Sequence, residues 1–430
     1  MMRFNFLLLG AVVGLGCVGD SPNTPVPDAS ADTNAPVDSA ADVVVGDSGV
    51  DVADVVDSGP PRPIVAIGGG GRSATTCAIK SNGAIHCWGD GSFGQLGDGK
   101  SGVSLVAVPV KNLPAQKTFV EVNTGQYHSC VRAQSGQVYC WGGNGSGMIG
   151  DGTTTDRLDP TPASGINGAT MLSNNMTTVC AVDGTKTKCW GVFATGALAR
   201  PTSTDHRIPM DALEDAVTSS NPITGATEVG VGGQRACVLQ AGGVKCWGNN
   251  ANGQAGAGAN CTGSVCTPVG VVGLASGVVH LRVGLDHSCA IVTGGKLKCW
   301  GYNSLGQLGA VGPATLTDVP IADPIVDATL GVEHTCALTS LGEVWCWGRN
   351  SESECGKAPS SKEQPTKIPG LTNVVQVTAG AFHTCALLSS GEVWCWGSNK
   401  FDPATANIVG SLGNGTSVDF ATAPVKVLGL

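Results

Sequence analysis

Charge is scarce in this 430-residue sequence, with Asp, Glu, Lys and Arg together at 13% and aromatic residues at 5%. No long stretch with helical periodicity follows the N-terminus, which argues against an α-helical domain. The longest apolar run, Phe4 to Leu15, is twelve residues, too short for a bilayer span of about 20. Cys-x-x-Cys spacing is absent, so a zinc ribbon is not expected. Gly-x-Ser-x-Gly, His-Glu-x-x-His and paired carboxylates in a plausible cleft are also missing, so no enzyme, metal site or cofactor is expected. The glycine runs do not follow a strand and open a helix, so they are read as turns and not as a nucleotide loop. Residues 18–60 contain no Lys, Arg, Glu or aromatic residue but nine Asp. The remainder, 61–430, holds 24 acidic and 23 basic residues. Such a near-neutral body offers no basic footprint for nucleic acid.

What the sequence does have is glycine (64 residues) and cysteine (18 residues). Fourteen cysteines form pairs: Cys77/Cys87, Cys130/Cys140, Cys180/Cys189, Cys237/Cys246, Cys289/Cys299, Cys336/Cys346 and Cys385/Cys395. Each second cysteine is followed by Trp-Gly, and successive first cysteines lie 53, 50, 57, 52, 47 and 49 residues apart. A period near 50 marks a repeat protein. Each pair sits on the two arms of a predicted β-hairpin, where opposed residues come within disulfide reach. Seven cross-strand disulfides are therefore expected; free thiols at small apolar core positions are the alternative. Pairing on this scale points to an oxidising compartment. Cys261 and Cys266 are expected to staple a loop inserted in the fourth repeat, and Cys355 is expected to be a buried free thiol.

The chain reads as three parts. Residues 1–17 look like an export signal: Arg3, the apolar run, then Gly14-Leu15-Gly16-Cys17. That last stretch resembles a bacterial lipoprotein lipobox, which would make Cys17 a lipidation site; simple secretion is the alternative. Residues 18–60 read as a disordered acidic tether. Residues 61–430 read as short strands bounded by Gly or Pro, four per repeat. The expected fold is all-β, a seven-bladed β-propeller. Pro424 to Leu430 matches Pro365 to Leu371, taken as the opening strand of a blade, and the first repeat lacks that strand. Closure of the ring is therefore expected through the C-terminal strand completing the N-terminal blade.

The repeat, Gly-x-x-His-[Ser/Thr]-Cys-Ala-Leu followed by Gly-x-Val-x-Cys-Trp-Gly-x-Asn-x-x-Gly-Gln-Leu-Gly, is similar to the regulator-of-chromosome-condensation repeat family in its bacterial exported form. Trp300-Gly301-Tyr302-Asn303 through Gly306-Gln307-Leu308-Gly309 carries the resemblance closely, as does Trp88-Gly89 through Gly94-Gln95-Leu96-Gly97. The resemblance implies a seven-bladed propeller. It also suggests guanine-nucleotide exchange on a small GTPase as an alternative function. An unrecognised hydrolase on the propeller face is another.

His128, His287, His334 and His383 recur at one position per blade, so a ring would hold them apart; each is expected to bond turn backbone, not to form a site. Trp345 and Trp394 are additional to the Trp-Gly residues and form a candidate contact patch. The expected function is non-catalytic binding of a protein or glycan through blade loops. The expected form is a monomeric outer-membrane or cell-surface lipoprotein, or a secreted protein, whose membrane attachment is a lipid anchor at Cys17.

Overall fold

The computed structural model describes residues 64–192, 196, 198–199, 206–214, 221–261, 265–310, 316–400 and 407–430. The expected export signal, Cys17 and the acidic tether lie outside the described residues. From Ile64 onward the chain forms seven four-stranded antiparallel sheets, each built from four consecutive strands. The first sheet is Ile64–Gly68, Thr75–Lys80, Ile85–Gly89 and Ser104–Pro109. The last is Val374–Ala379, His383–Leu388, Val393–Ser398 and Phe420–Lys426. This is the expected seven-bladed all-β propeller. Among the described residues the only helix is a single turn, Gly258–Asn260, and no helix is long and apolar enough to cross a membrane.

Each hairpin cysteine pair lies directly opposed on the two middle strands of its blade. Cys77 faces Cys87, Cys130 faces Cys140, Cys289 faces Cys299, Cys336 faces Cys346 and Cys385 faces Cys395. The two shorter hairpins keep the same register, with Cys180 facing Cys189 and Cys237 facing Cys246. The shorter spacing is absorbed in the turn. In the fourth blade the loop is only Ala241-Gly242, both at positive φ (50° and 75°), the primed two-residue turn that matches strand twist.

The Trp-Gly tryptophans are the largest fully buried side chains, and each apolar cluster draws on two adjacent blades. One contains Trp300 with Cys237, Cys246 and Leu281; another contains Trp396 with Cys336, Cys346 and Val377. Burial of such an indole contributes roughly 2–3 kcal/mol. Its N–H is then satisfied by a loop carbonyl of the preceding blade. Trp141 Nε1 donates to Gln95 O (2.9 Å), Trp190 to Met148 O (2.8 Å), Trp300 to Gln254 O (3.1 Å), Trp347 to Gln307 O (2.9 Å) and Trp396 to Glu354 O (3.0 Å).

The ring closes differently from the expectation. Phe420–Lys426 pairs with Val393–Ser398 and is the outer strand of the seventh blade, not a missing strand of the first. Its counterpart Ser360–Lys367 likewise pairs backwards, with Val344–Asn350 of the sixth blade. The sequence match between Pro365–Leu371 and Pro424–Leu430 identifies equivalent segments but not the neighbour each pairs with. The outer strand completes a ladder with the hairpin just before it, and the chain then crosses to the axis to begin the next blade. Closure is side to side. Gln376 bonds both the N–H and the C=O of Ile67 (2.9 Å each), Trp88 Nε1 donates to Ser411 O (3.1 Å), and Leu428 O accepts from Ala107 N (2.9 Å).

The seam is thus an ordinary blade interface. Trp88→Phe, which removes the seam donor and one ring of a fully buried indole, should cost about 2–4 kcal/mol. Trp300→Phe, within the ring, should cost the same. Thermal melts of the two variants check this; a much larger loss for Trp88→Phe would show that closure depends on something more than blade packing.

Candidate functional site

The repeated histidines are structural, but their partners are not turn backbone. His287 Nε2 meets Thr335 Oγ1 of the next blade at 2.8 Å, His334 meets Thr384 at 2.9 Å, and His383 crosses the seam to Thr76 at 2.8 Å. Thr335 already donates its hydroxyl proton to Gln307 O (2.9 Å), so His287 Nε2–H is the donor. The rings lie so close to the preceding turn that a Cβ on Gly331 or Gly380 would overlap His334 or His383. Burial drives the pKa of His128, His287 and His334 down to about 3 and that of His383 to about 4. All four are therefore neutral near pH 7. In the fourth blade Arg235 takes this position and reaches the fifth through Leu285 O, His287 O and Ser288 Oγ, each at 2.8 Å.

His128 is the exception: neither ring nitrogen has a partner. Thr76, Thr335 and Thr384 each stand opposite a Trp-Gly tryptophan, and in the third blade that register position is Val179, opposite Trp190. The hydroxyl that receives the histidine elsewhere is a methyl here.

The sixteen cysteines expected to pair are joined as eight disulfides. Seven lie within the hairpins: Cys77–Cys87, Cys130–Cys140, Cys180–Cys189, Cys237–Cys246, Cys289–Cys299, Cys336–Cys346 and Cys385–Cys395. Their Cα atoms are 4.0–4.1 Å apart. The eighth, Cys261–Cys266, spans 5.9 Å between Cα atoms. The hairpin disulfides belong to the blade interior and not to an exposed site: Cys77, Cys87, Cys130, Cys140, Cys289 and Cys299 are all fully buried. Cys355 is free and buried, and burial raises its thiol pKa, so it is poorly nucleophilic. Trp345 and Trp394 are half-buried. Trp345 packs against the cluster between blades five and six and Trp394 against that between six and seven, so each contributes to a different seam and they do not form one open patch.

Two surfaces remain. The antiparallel order puts the first-to-second and third-to-fourth connections of every blade on one face. There Phe93, 45% exposed, meets Tyr127 edge-on with ring centroids 4.9 Å apart. Arg349 lies 4.7 Å over the Phe382 ring while bonding Glu333 at 3.0 Å. The Cys261–Cys266 loop is on this face; most of the seventh-blade insert, 401–406, lies outside the described residues.

The second surface is a well on the ring axis, about 370 Å³, lined by the innermost strands. Its floor is Gly68–Gly71. A Cβ on Gly68 or Gly70 would overlap the carbonyls of Val122 and Thr124. One on Gly71 would lie 2.9 Å from Leu330 O, 3.4 Å from Asn175 Nδ2 and 3.6 Å from Leu285 N, atoms of three different blades. The four glycines cross the axis where no side chain fits.

The wall follows from an edge problem. An innermost strand has an unpaired backbone edge that must be satisfied. Here side chains from the preceding blade supply the partners. Glu121 accepts from Leu172 N (3.2 Å), Glu228 from Leu281 N (2.7 Å), Thr329 from Ala379 N (2.7 Å) and Thr378 from Gly69 N (2.7 Å). The same carboxylates form ion pairs. Glu121 holds Arg132 at 2.6 Å; Arg282 reaches Asp327 at 2.8 Å and Glu228 at 3.5 Å; His280 Nδ1 meets Glu228 at 2.7 Å. Burial raises the Glu121 pKa against the opposing pull of Arg132. For Arg282 burial disfavours the cation, but Asp327 and Glu228 outweigh it and the pKa is raised.

The sequence shows no paired carboxylates, yet the fold brings Glu228 and Asp327 onto one guanidinium. These residues occupy the third position of the opening strand, where the blades carry Ala66, Glu121, Met171, Glu228, His280, Asp327 and Gln376. One differing residue per repeat makes no local motif; only the recurring position would have indicated it.

Profiles of the Regulator of chromosome condensation (RCC1) repeat match residues 64–95, 119–147, 278–307, 325–354 and 374–402, and a second such profile matches 82–132 and 342–387. The chain carries RCC1 repeats, and the matched segments fall in blades one, two, five, six and seven. Among curated proteins, Ultraviolet-B receptor UVR8 of Arabidopsis thaliana is 28% identical over 264 residues, 58% of this chain and 57% of that one. E3 ubiquitin-protein ligase HERC2 of mouse is 28% identical over 252 residues, 57% of this chain and 5% of that one. Thus the alignment spans little more than half of the one relative and a small part of the other. Among solved structures, Prp20p of Saccharomyces cerevisiae superposes with a TM-score of 0.65 at 20% identity, covering 80% of this chain and 85% of that one. Human WBSCR16 gives 0.64 at 20% identity, covering 80% and 94%. At this identity the structural likeness establishes the fold.

The vacancy at His128 gives a double-mutant test. Val179→Thr should be coupled to His128 by about 1 kcal/mol, favourable with His128 present and absent in a His128→Leu background. Thermal melts of the four proteins measure it; equal effects of Val179→Thr in both backgrounds would mean that His128 does not use this register position.

Proposed function

We propose that this chain is an exported, non-catalytic binding propeller that presents its connection loops to a protein or glycan partner. In this reading residues 1–17 direct export, Cys17 carries a lipid in a bacterial envelope, 18–60 is an acidic spacer and 61–430 is the binding body. The eight disulfides support an oxidising location. They count against the exchange-factor alternative, which acts on an intracellular GTPase.

The observation that carries the reading is how the polar and aromatic residues are distributed. The repeated histidines and Trp-Gly indoles are consumed between blades. The loop face keeps Phe93, Tyr127, Phe382 and Arg349 near solvent together with the Cys261–Cys266 loop. Aromatic and Arg residues on rigid loops are what recognition surfaces use.

The test is capture of envelope proteins and glycans by the full chain. The triple change Phe93→Ser, Tyr127→Ser, Phe382→Ser should abolish capture, and Leu341→Ser, exposed in a turn on the opposite face, should leave it intact. A captured set unchanged by the triple variant would overturn the loop-face reading.

A further inference from the structure

The axial well opens on the face opposite the loops, and its mouth has a construction of its own. In every blade the opening strand carries a β-bulge at its second residue, seen as a register shift between the first and third. A bulge re-aims the side chain it carries. The seven bulged residues are Val65, Val120, Thr170, Thr227, Val279, Val326 and Val375, all exposed, the valines at 40–55%. Five aliphatic side chains are thus left in water at equivalent positions, and one of them, Val120, lines the cavity.

Below the mouth the charges do not balance. Among the lining residues Glu121, Glu228 and Asp327 supply three carboxylates against the one guanidinium of Arg282, while Arg132 pairs with Glu121 from outside the lining. Both bonds of Arg282 to Asp327 use Oδ1, as does the Ala328 N–H. Deeper still, Asn174 is only 5% exposed, and its Nδ2 donates to Asn123 O while its Oδ1 has no partner. A buried acceptor without a donor is costly, and this one lines the same well.

An exposed valine at the mouth, a wall richer in carboxylates than in guanidiniums and an unmatched acceptor at depth are complementary to one chemistry. We propose that the well binds a primary amine on an aliphatic stem, in the form of a lysine side chain presented by a partner protein. The stem packs against Val120 at the mouth, and the ammonium donates to the Glu228 and Asp327 carboxylates. The acidic segment of this chain itself, Asp42 to Asp57, has the wrong sign for this cavity. The site lies on a different surface from the loop face, so either can fail alone.

Met171 lines the well, so its ε-methyl group, ¹³C-labelled in the full chain and assigned with Met171→Leu, reports occupancy by NMR. The probes are acetyl-Gly-Lys-Gly-amide, its Gln counterpart and 1,4-diaminobutane. The lysine peptide should shift the methyl resonance saturably and the Gln peptide should not. Asp327→Asn should weaken binding about tenfold, with its fold checked by circular dichroism. Val120→Lys, an exposed change at a residue that lines the well, should block the peptide by placing a tethered ammonium at the mouth. A shift with both lysine peptide and diamine supports the amine site; a shift with diamine alone overturns the protein-borne form. No shift with either, or equal shifts with the Lys and Gln peptides, overturns the site.

Discussion

In the blades of Trp88, Trp141, Trp190, Trp300, Trp347 and Trp396 a neighbouring blade satisfies the indole N–H of the Trp-Gly tryptophan. The ring is buried for its area, and burial forces its donor to find an acceptor. The acceptor is a carbonyl on the preceding blade's loop, so the loop after each Trp-Gly must hold one conformation. That explains the glycine closing the loop: a Cβ on Gly97, Gly150 or Gly256 would press against Trp141, Trp190 or Trp300 at 2.7–3.1 Å. The His-to-Thr bonds add a second cross-blade link at three of these seams, between blades five and six, six and seven, and seven and one. Both kinds recur across the seam between blades seven and one, so the ring closes with no shared strand.

The same logic at the axis produces the polar well. Seven inner strand edges meet there with backbone groups to satisfy, and side chains from adjacent blades are the nearest source of partners. Glu121, Glu228, Thr329 and Thr378 are structural in this sense. The charge of the two glutamates nevertheless faces a cavity. A site that can select a cation thus arises from the need to blunt strand edges, while the loop face is free of that duty and can vary in length, as it does in blades four and seven.

Much of this was legible in the residues. The cysteine pairs and Trp-Gly ends set the period, the hairpins, the register and the number of blades. Pairs such as Cys77–Cys87, Cys130–Cys140 and Cys289–Cys299 are local, ten residues apart on one hairpin, so no distant partner had to be found. Where sequence reading fell short, the missing information was spatial. Pro424–Leu430 was matched correctly to Pro365–Leu371, but a match between repeats does not say which hairpin a strand joins. The histidines are structural, yet their threonine partners lie in the next blade, about one repeat on or, for His383, across the seam at Thr76, at positions conspicuous only after the blades are aligned. Asp327 and Glu228 carry no signal in the sequence because each is alone in its repeat. Trp345 and Trp394 looked available for contact, but they half-fill two separate seams.

The most direct test of the central claim, an oxidised propeller whose blades are each stapled and then joined by side chains, is a thiol count. The native protein is unfolded without reductant, alkylated and mapped by mass. Of the seventeen cysteines from Cys77 onward, sixteen are paired and Cys355 is free. The account predicts a single alkylated residue there, Cys355. Alkylation of the hairpin cysteines would contradict it, placing the protein in a reducing compartment and removing the main support for export.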